Sequence, residues 1–243
     1  MTETKNNNVV DIKKITSKKI DPSLVVLNNP ASPATENIKV LRTHILRPQD
    51  GKIRKVICVT SSAGKEGKTF IATNLAVSIA QSFDPYALLI DADLRRSKIY
   101  KIFGLPPNLK GLSSFLQNPE DVGQYLVKTN VSKLTILPAG PSPDNPSELL
   151  TSSKMQDLLK EVRDRYPDRY IILDSPPVNL ASETMALVQE ADGVILVIRY
   201  GFSDKAMVKD AVEKIGRDKI IGIVFNSVEI MTKRYSRYIK EYY

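Results

Sequence analysis

Short apolar runs punctuate this chain at Val56–Val59, Tyr86–Ile90, Leu134–Leu137, Tyr170–Leu173, Val194–Ile198 and Ile220–Phe225. They are rich in Val, Ile and Leu and interrupted only by Thr135 and Gly222. That pattern predicts strands buried on both faces, as in a parallel sheet, rather than half-exposed strands that alternate. Between the runs lie segments of helical period. One is capped at Thr35 and begins at Glu36, with Ile38, Leu41 and Ile45 on one stripe. A second runs from Phe70 to about Ser82. A third has Asn145 as its cap and Pro146 at its first position, and reaches about Tyr166. A fourth, capped by Ser203, ends near Ile215. Ser23–Asn29 reads as an extended stretch closed by Pro30, Ser32 and Pro33. Strands alternating with helices predict an α/β fold, a mostly parallel sheet with helices on both faces.

Residues 1–22 lack sustained period and are rich in Asn and Lys, which predicts a mobile polar tail. The folded domain is expected over 23–230, and 231–243 forms a basic, tyrosine-rich tail. The 243 residues, 42% hydrophobic and 26% charged, suit one sizeable globular domain. A single cysteine, Cys58, excludes an internal disulfide. No secretory leader and no run of membrane-spanning length is visible, so a cytoplasmic protein is expected. The net charge of +8 is compatible with an anionic partner or with a solvated basic surface.

Chemistry concentrates at the ends of three predicted strands. After Val56–Val59 comes Thr60-Ser61-Ser62-Ala63-Gly64-Lys65-Glu66-Gly67-Lys68-Thr69, then the helix opening at Phe70. Strand, glycine-bearing loop ending Gly-Lys-Thr, and helix form the context of a P-loop NTPase. Successive backbone N–H groups and the helix N-terminus make an anion nest there. Residues Gly64 to Phe70 would contact the nucleotide, Lys68 its β- and γ-phosphates, and Thr69 a Mg²⁺ ion. The strict motif has Gly where this chain has Ser62. After Tyr86–Ile90, Asp91 and Asp93 point the same way at a strand end, placed to hold a metal or to activate a nucleophile. The alternative is a capping Asp with a salt bridge to Arg95. After Tyr170–Leu173, Asp174 completes a Walker B arrangement; the alternative is an Asp opening a turn before Pro176. Asn226, ending the last strand, either reads adenine or forms a turn. His44, the only histidine, has no visible carboxylate or cysteine cluster and receives no catalytic role.

With Asp91-Ala92-Asp93-Leu94-Arg95, Leu173-Asp174-Ser175-Pro176-Pro177, Asn145–Leu150 and Asn37–Ile45, the chain resembles the bacterial tyrosine kinases of capsule and exopolysaccharide synthesis. The resemblance covers roughly 23–228. It implies ATP and Mg²⁺ as cofactors, with Lys68 on the phosphates. Thr69 and Asp91 would hold Mg²⁺ directly, and Asp174 through a water. Asp91 or Asp93 would assist deprotonation of a tyrosine hydroxyl. Glu36, Lys39 and Arg42 match an oligomerisation pattern, E-x-x-R-x-x-R, with Lys39 for the middle Arg. Gly64-Lys65 stands where the family usually has Pro-Gly. The resemblance also implies a membrane-embedded polysaccharide chain-length regulator acting in trans, a homo-oligomer, a phosphotyrosine phosphatase as a further partner, and no nucleic acid. The protein would sit at the inner face of the cell membrane through its partner. The alternative is a partition-type P-loop ATPase, a nucleotide-switched assembly protein. Those ATPases carry a signature lysine at the position of Ala63, and this chain does not.

The family's end is a tyrosine cluster that accepts phosphate, matched here by Tyr235, Tyr238, Tyr242 and Tyr243. Met231, Tyr235, Tyr238 and Tyr242 also fall on one helical stripe, so the alternative to the acceptor role, which is the favoured reading, is an amphipathic helix that docks, binds a partner or lies on an anionic membrane.

Overall fold

The computed structural model describes residues 20–228. Its centre is a 7-stranded sheet: β1 (Val56–Ser61), β2 (Tyr86–Asp91), β3 (Val127–Lys128), β4 (Leu134–Leu137), β5 (Arg169–Asp174), β6 (Gly193–Arg199) and β7 (Ile220–Asn226). The strand order is β3-β4-β2-β5-β1-β6-β7. All pairings are parallel except that of β3 with β4. The apolar runs follow from this arrangement. In β1, Val56 and Cys58 face one core while Ile57 and Val59 face the other, and β2 and β5 divide in the same way. Both faces of these central strands are covered, so neither set of alternate positions can be polar; β7, at the sheet edge, departs from the expected two-sided burial, with Ile223 and Phe225 exposed.

One face carries α1 (Val25–Asn28), α2 (Pro33–Leu46), α3 (Lys68–Ala80) and α4 (Ile99–Ile102). The other carries α5 (Leu112–Gln117), α6 (Pro146–Leu150), α7 (Ser153–Arg165), α8 (Glu183–Glu190) and α9 (Lys205–Ile215). Helix α3 is buried continuously from Ile71 to Ala80. It therefore has no polar stripe, and it stops at Ala80 rather than Ser82.

Four sequence expectations are corrected. Ser23–Asn29 is not extended, because Asn74 of α3 binds the backbone at both Ser23 and Val26, winding the stretch into α1. Helix α2 starts at Pro33, with Ser32 accepting from the Thr35 amide; Ser before Pro is a strong start, and Thr35 is buried behind it. The segment 146–166 is two helices. Thr151 Oγ1 donates to Ser147 O and Ser152 Oγ to Leu149 O where the break falls, and the Asn145 side chain makes no capping bond. Asp204, not Ser203, caps α9, accepting from the amides of Ala206 and Met207.

Candidate active site

The carboxyl ends of β1, β5 and β2 lie side by side, where open α/β sheets place ligands. Gly67, at φ 97°, turns the loop after β1 into α3. A Cβ at Gly67 would fall 2.0 Å from Asn226 Nδ2, so glycine is required twice over. Lys68 opens α3 and places Nζ 2.8 Å from Asp93 Oδ2. Both side chains are largely buried. Burial disfavours the Lys68 ammonium, but Asp174 and Asp93 outweigh it and raise its pKa. Asp93 also accepts from the Arg96 amide at 3.0 Å.

Asp91 and Asp174 are register partners on adjacent strands, and both are fully buried. Asp91 Oδ2 accepts from Ser97 Oγ at 2.7 Å and from the Ile99 amide at 3.3 Å. Asp174 accepts from the Thr69 hydroxyl. One oxygen of each carboxylate, Oδ1, is buried without a hydrogen-bond partner. Burial, with Asp174 nearby, pushes the Asp91 carboxyl pKa up; burial does the same to Asp174, opposed by Lys68. Two orphaned carboxyl oxygens beside a threonine hydroxyl are a donor set that fits Mg²⁺. Among the described residues no three His, Cys, Asp or Glu side chains converge on one metal position. Of the alternative reading of Asp91 and Asp93, the salt bridge to Arg95 is not formed, since Arg95 pairs with Glu183 at 2.7 Å, whereas both aspartates do accept backbone amides as a capping Asp would.

Sequence reasoning missed how the phosphate loop is held. The Glu66 side chain folds back into its own loop. Ser62 Oγ (2.9 Å), the Ala63 amide (2.7 Å) and Ser203 Oγ all donate to its carboxylate. Ser62, standing where the strict motif has Gly, is thus one of the carboxylate's donors. Arg199 Nη1 donates to Lys65 O at 3.2 Å, and Asn226 Nδ2 to Glu66 O at 3.0 Å. So Asn226 ties the loop down with its amide nitrogen. The Gly67-Lys68-Thr69 signal was readable because it is local; these tethers come from β6, β7 and the turn before α9, over 130 residues away.

Lys65, where the resemblance expects glycine, sits at φ 66°. The left-handed region costs a non-glycine residue about 1 kcal/mol or more. Lys65→Gly is therefore expected to raise the midpoint of thermal unfolding, with stability up by about 0.5–1 kcal/mol. A lower midpoint would mean that the exposed lysine side chain holds the loop.

In α2, Glu36 and Lys39 pair at 2.6 Å, while Arg42 donates to Ser78 O of α3 at 3.2 Å. His44 lines a separate cavity with Leu41 and Ile45, away from this centre. Tyr235, Tyr238, Tyr242 and Tyr243 lie outside the described residues.

A family profile described as an AAA domain matches residues 54–217. Tyrosine-protein kinase CpsD of Streptococcus agalactiae is 32% identical over 210 residues, covering 86% of this chain and 90% of that protein. Tyrosine-protein kinase YwqD of Bacillus subtilis is 32% identical over 221 residues, 90% of this chain and 92% of its own. Among solved structures, the kinase domain of the Escherichia coli tyrosine kinase ETK superposes with a TM-score of 0.78 at 27% identity, covering 91% of this chain and 88% of that one. The chimerical protein CapA2B2 gives 0.77 at 34%, covering 85% and 90%. The septum site-determining protein MinD from Pyrococcus horikoshii, with Mg-ADP, shares only the fold, at 0.58 and 17% over 76% of each chain.

Proposed function

Since the chain belongs to the bacterial protein-tyrosine kinases, we propose that it transfers the γ-phosphoryl group of ATP to tyrosines of its own C-terminal segment, Tyr235, Tyr238, Tyr242 and Tyr243. The observation that carries this reading is the convergence of the Lys68–Asp93 pair with the orphaned oxygens of Asp91 and Asp174. The loop amides up to Thr69 cradle the phosphates, and Lys68 moves from Asp93 toward the β- and γ-oxygens. Thr69 and Asp91 would hold Mg²⁺ directly and Asp174 through a water, and the bound ion would supply positive charge against the phosphates. A tyrosine hydroxyl, with pKa about 10, is neutral at pH 7, so a carboxylate must take its proton. Asp93 suits that task once Lys68 has left it, and Asp91 is the other candidate. Asn226 and Ser203 keep the loop in its open nest and remove the need to organise it at each turnover.

The process served is capsule or exopolysaccharide synthesis, with a membrane-embedded chain-length regulator as activator in trans. That regulator would bring the kinase to the inner face of the membrane; no helix among the described residues is long and apolar enough to cross one. Glu36, Lys39 and Arg42 form one edge of a homo-oligomer, and a phosphatase reverses the modification. The test is to incubate the chain with ATP and Mg²⁺, with and without a peptide from the candidate activator. Phosphotyrosine and ADP are measured separately. ADP release without phosphotyrosine, activator present, would instead identify a nucleotide-switched assembly ATPase. A truncation after Thr232 that still gains phosphotyrosine would place the acceptor elsewhere.

A further inference from the structure

The sheet order lays the reactants out in a line. The tethers from β7 and β6 lie on one side of the phosphate loop, then come β1 with the loop, β5 with Asp174, and β2 with Asp91 and Asp93. An in-line transfer brings the acceptor to the γ-phosphorus from the side away from the departing ADP. On the β2 side the next strand is β4, and there lies a cavity of about 330 Å³. It shares walls with the catalytic centre. Ser97, which donates to Asp91, lines it, and so does Arg96, whose amide donates to Asp93. The opposite wall, 138–142, is held rigidly. The amides of Leu112 and Ser113 donate to Pro138 O and Ala139 O at 2.7 and 2.8 Å, and Ser113 Oγ donates to Pro141 O at 2.7 Å. Pro106, Pro107 and Tyr100 complete an apolar floor against which an aromatic ring can lie.

The charge in this cavity is one-sided. Among the described residues no acidic one lines it. Arg95 is taken up by the buried Glu183. Arg96 lines the cavity, is exposed, and its guanidinium makes no hydrogen bond or ion pair with any described side chain, while its backbone amide donates to Asp93. An unpaired guanidinium there selects for a negative group beside the reacting tyrosine.

We propose that this cavity is the acceptor subsite and that Arg96 reads the residue before the acceptor tyrosine, preferring an acidic one. It rests on the C-terminal segment being the acceptor. In that segment Tyr242 follows Glu241, whereas Tyr235 follows Arg234 and Tyr238 follows Arg237. Tyr242 is therefore modified first. Its phosphate then precedes Tyr243 and makes that residue the second acceptor. In each step the tyrosine oxygen bonds to the γ-phosphorus, the bond from that phosphorus to the bridging oxygen breaks, ADP leaves, and the phenolic proton passes to an aspartate.

The experiment follows phosphate on each tyrosine by mass spectrometry during the first turnovers of the full chain with ATP and Mg²⁺. Wild type should label Tyr242 several-fold faster than Tyr235 or Tyr238. Arg96→Glu should reduce that ratio about three- to tenfold and speed Tyr238, a gain that simple damage to the site would not produce. Adding Glu241→Lys to Arg96→Glu should restore the Tyr242 preference. An unchanged order in Arg96→Glu would overturn the subsite while leaving the tail as acceptor. Phosphate appearing only outside 231–243 in wild type would overturn both.

Discussion

Replacing Lys68 by methionine is expected to lower the rate of tyrosine phosphorylation by about 10³-fold or more, some 4 kcal/mol of transition-state stabilisation. Two losses combine. The ammonium no longer meets the β- and γ-oxygens, and it no longer offsets the carboxylates. Lys68 is the cation 2.8 Å from Asp93, and it bears on Asp174 as well. Without it, an incoming triphosphate meets uncompensated negative charge, so affinity for ATP falls together with turnover. Removing one member of a buried pair also costs about 3–5 kcal/mol of stability unless the other is neutralised. Lys68→Met combined with Asp93→Asn should therefore unfold at a higher temperature than Lys68→Met alone and remain inactive. Thermal unfolding and phosphotyrosine blots on the two variants test this. A single variant as stable as wild type would mean that the Lys68–Asp93 pair carries no net stabilisation.

Asp91→Asn should divide activity from stability. If Asp91 holds Mg²⁺ directly, as proposed, loss of the carboxylate should cut phosphorylation by about 10³-fold. Without nucleotide and Mg²⁺, the same variant should be more stable than wild type by about 1 kcal/mol or more, roughly 2–4 °C per kcal/mol. The reason is local. Burial, then Asp174, pushes the Asp91 carboxyl pKa up to about 8. A raised carboxyl pKa means the folded state disfavours the charge. Wild type thus loses stability relative to the variant as pH rises from about 4, where an unfolded aspartate ionises, to about 8. An asparagine carbonyl still accepts from Ser97 and Ile99, and its amide can donate to Asp174, filling the gap the orphaned oxygens leave. The check is unfolding across that pH range with and without Mg·ATP. A variant less stable than wild type at pH 8 without ligand would contradict the reading.

The sheet and the three acidic or lysine-bearing strand ends were legible because each is a local pattern. An apolar run, a Gly-Lys-Thr and an Asp after four apolar residues need no partner to be seen. Helix starts were less legible, since Ser32 and Thr35 both have capping chemistry and only packing decides that Thr35 is buried. The stretch Ser23–Asn29 was misread because Asn74, far along the chain, decides its conformation. Glu66 was read as a nucleotide contact through its place in the loop. Nothing in its neighbourhood said that Ser203 would meet its side chain, or that Asn226 would spend its amide on the loop.

Strand β7 ends at Asn226, whose side-chain amide pins the phosphate loop. The tyrosines of the C-terminal segment thus follow in sequence from the residue that holds the loop. From β7 to β2 is four strand spacings, about 19 Å. Tyr235 is nine residues beyond Asn226 in sequence and Tyr242 is sixteen, so a chain of either length spans at most about 31 Å and about 54 Å. Either length exceeds the strand-to-strand separation, so contour length alone does not forbid labelling within one copy. Labelling whose rate per chain falls on dilution would show that a neighbouring copy supplies the tyrosine.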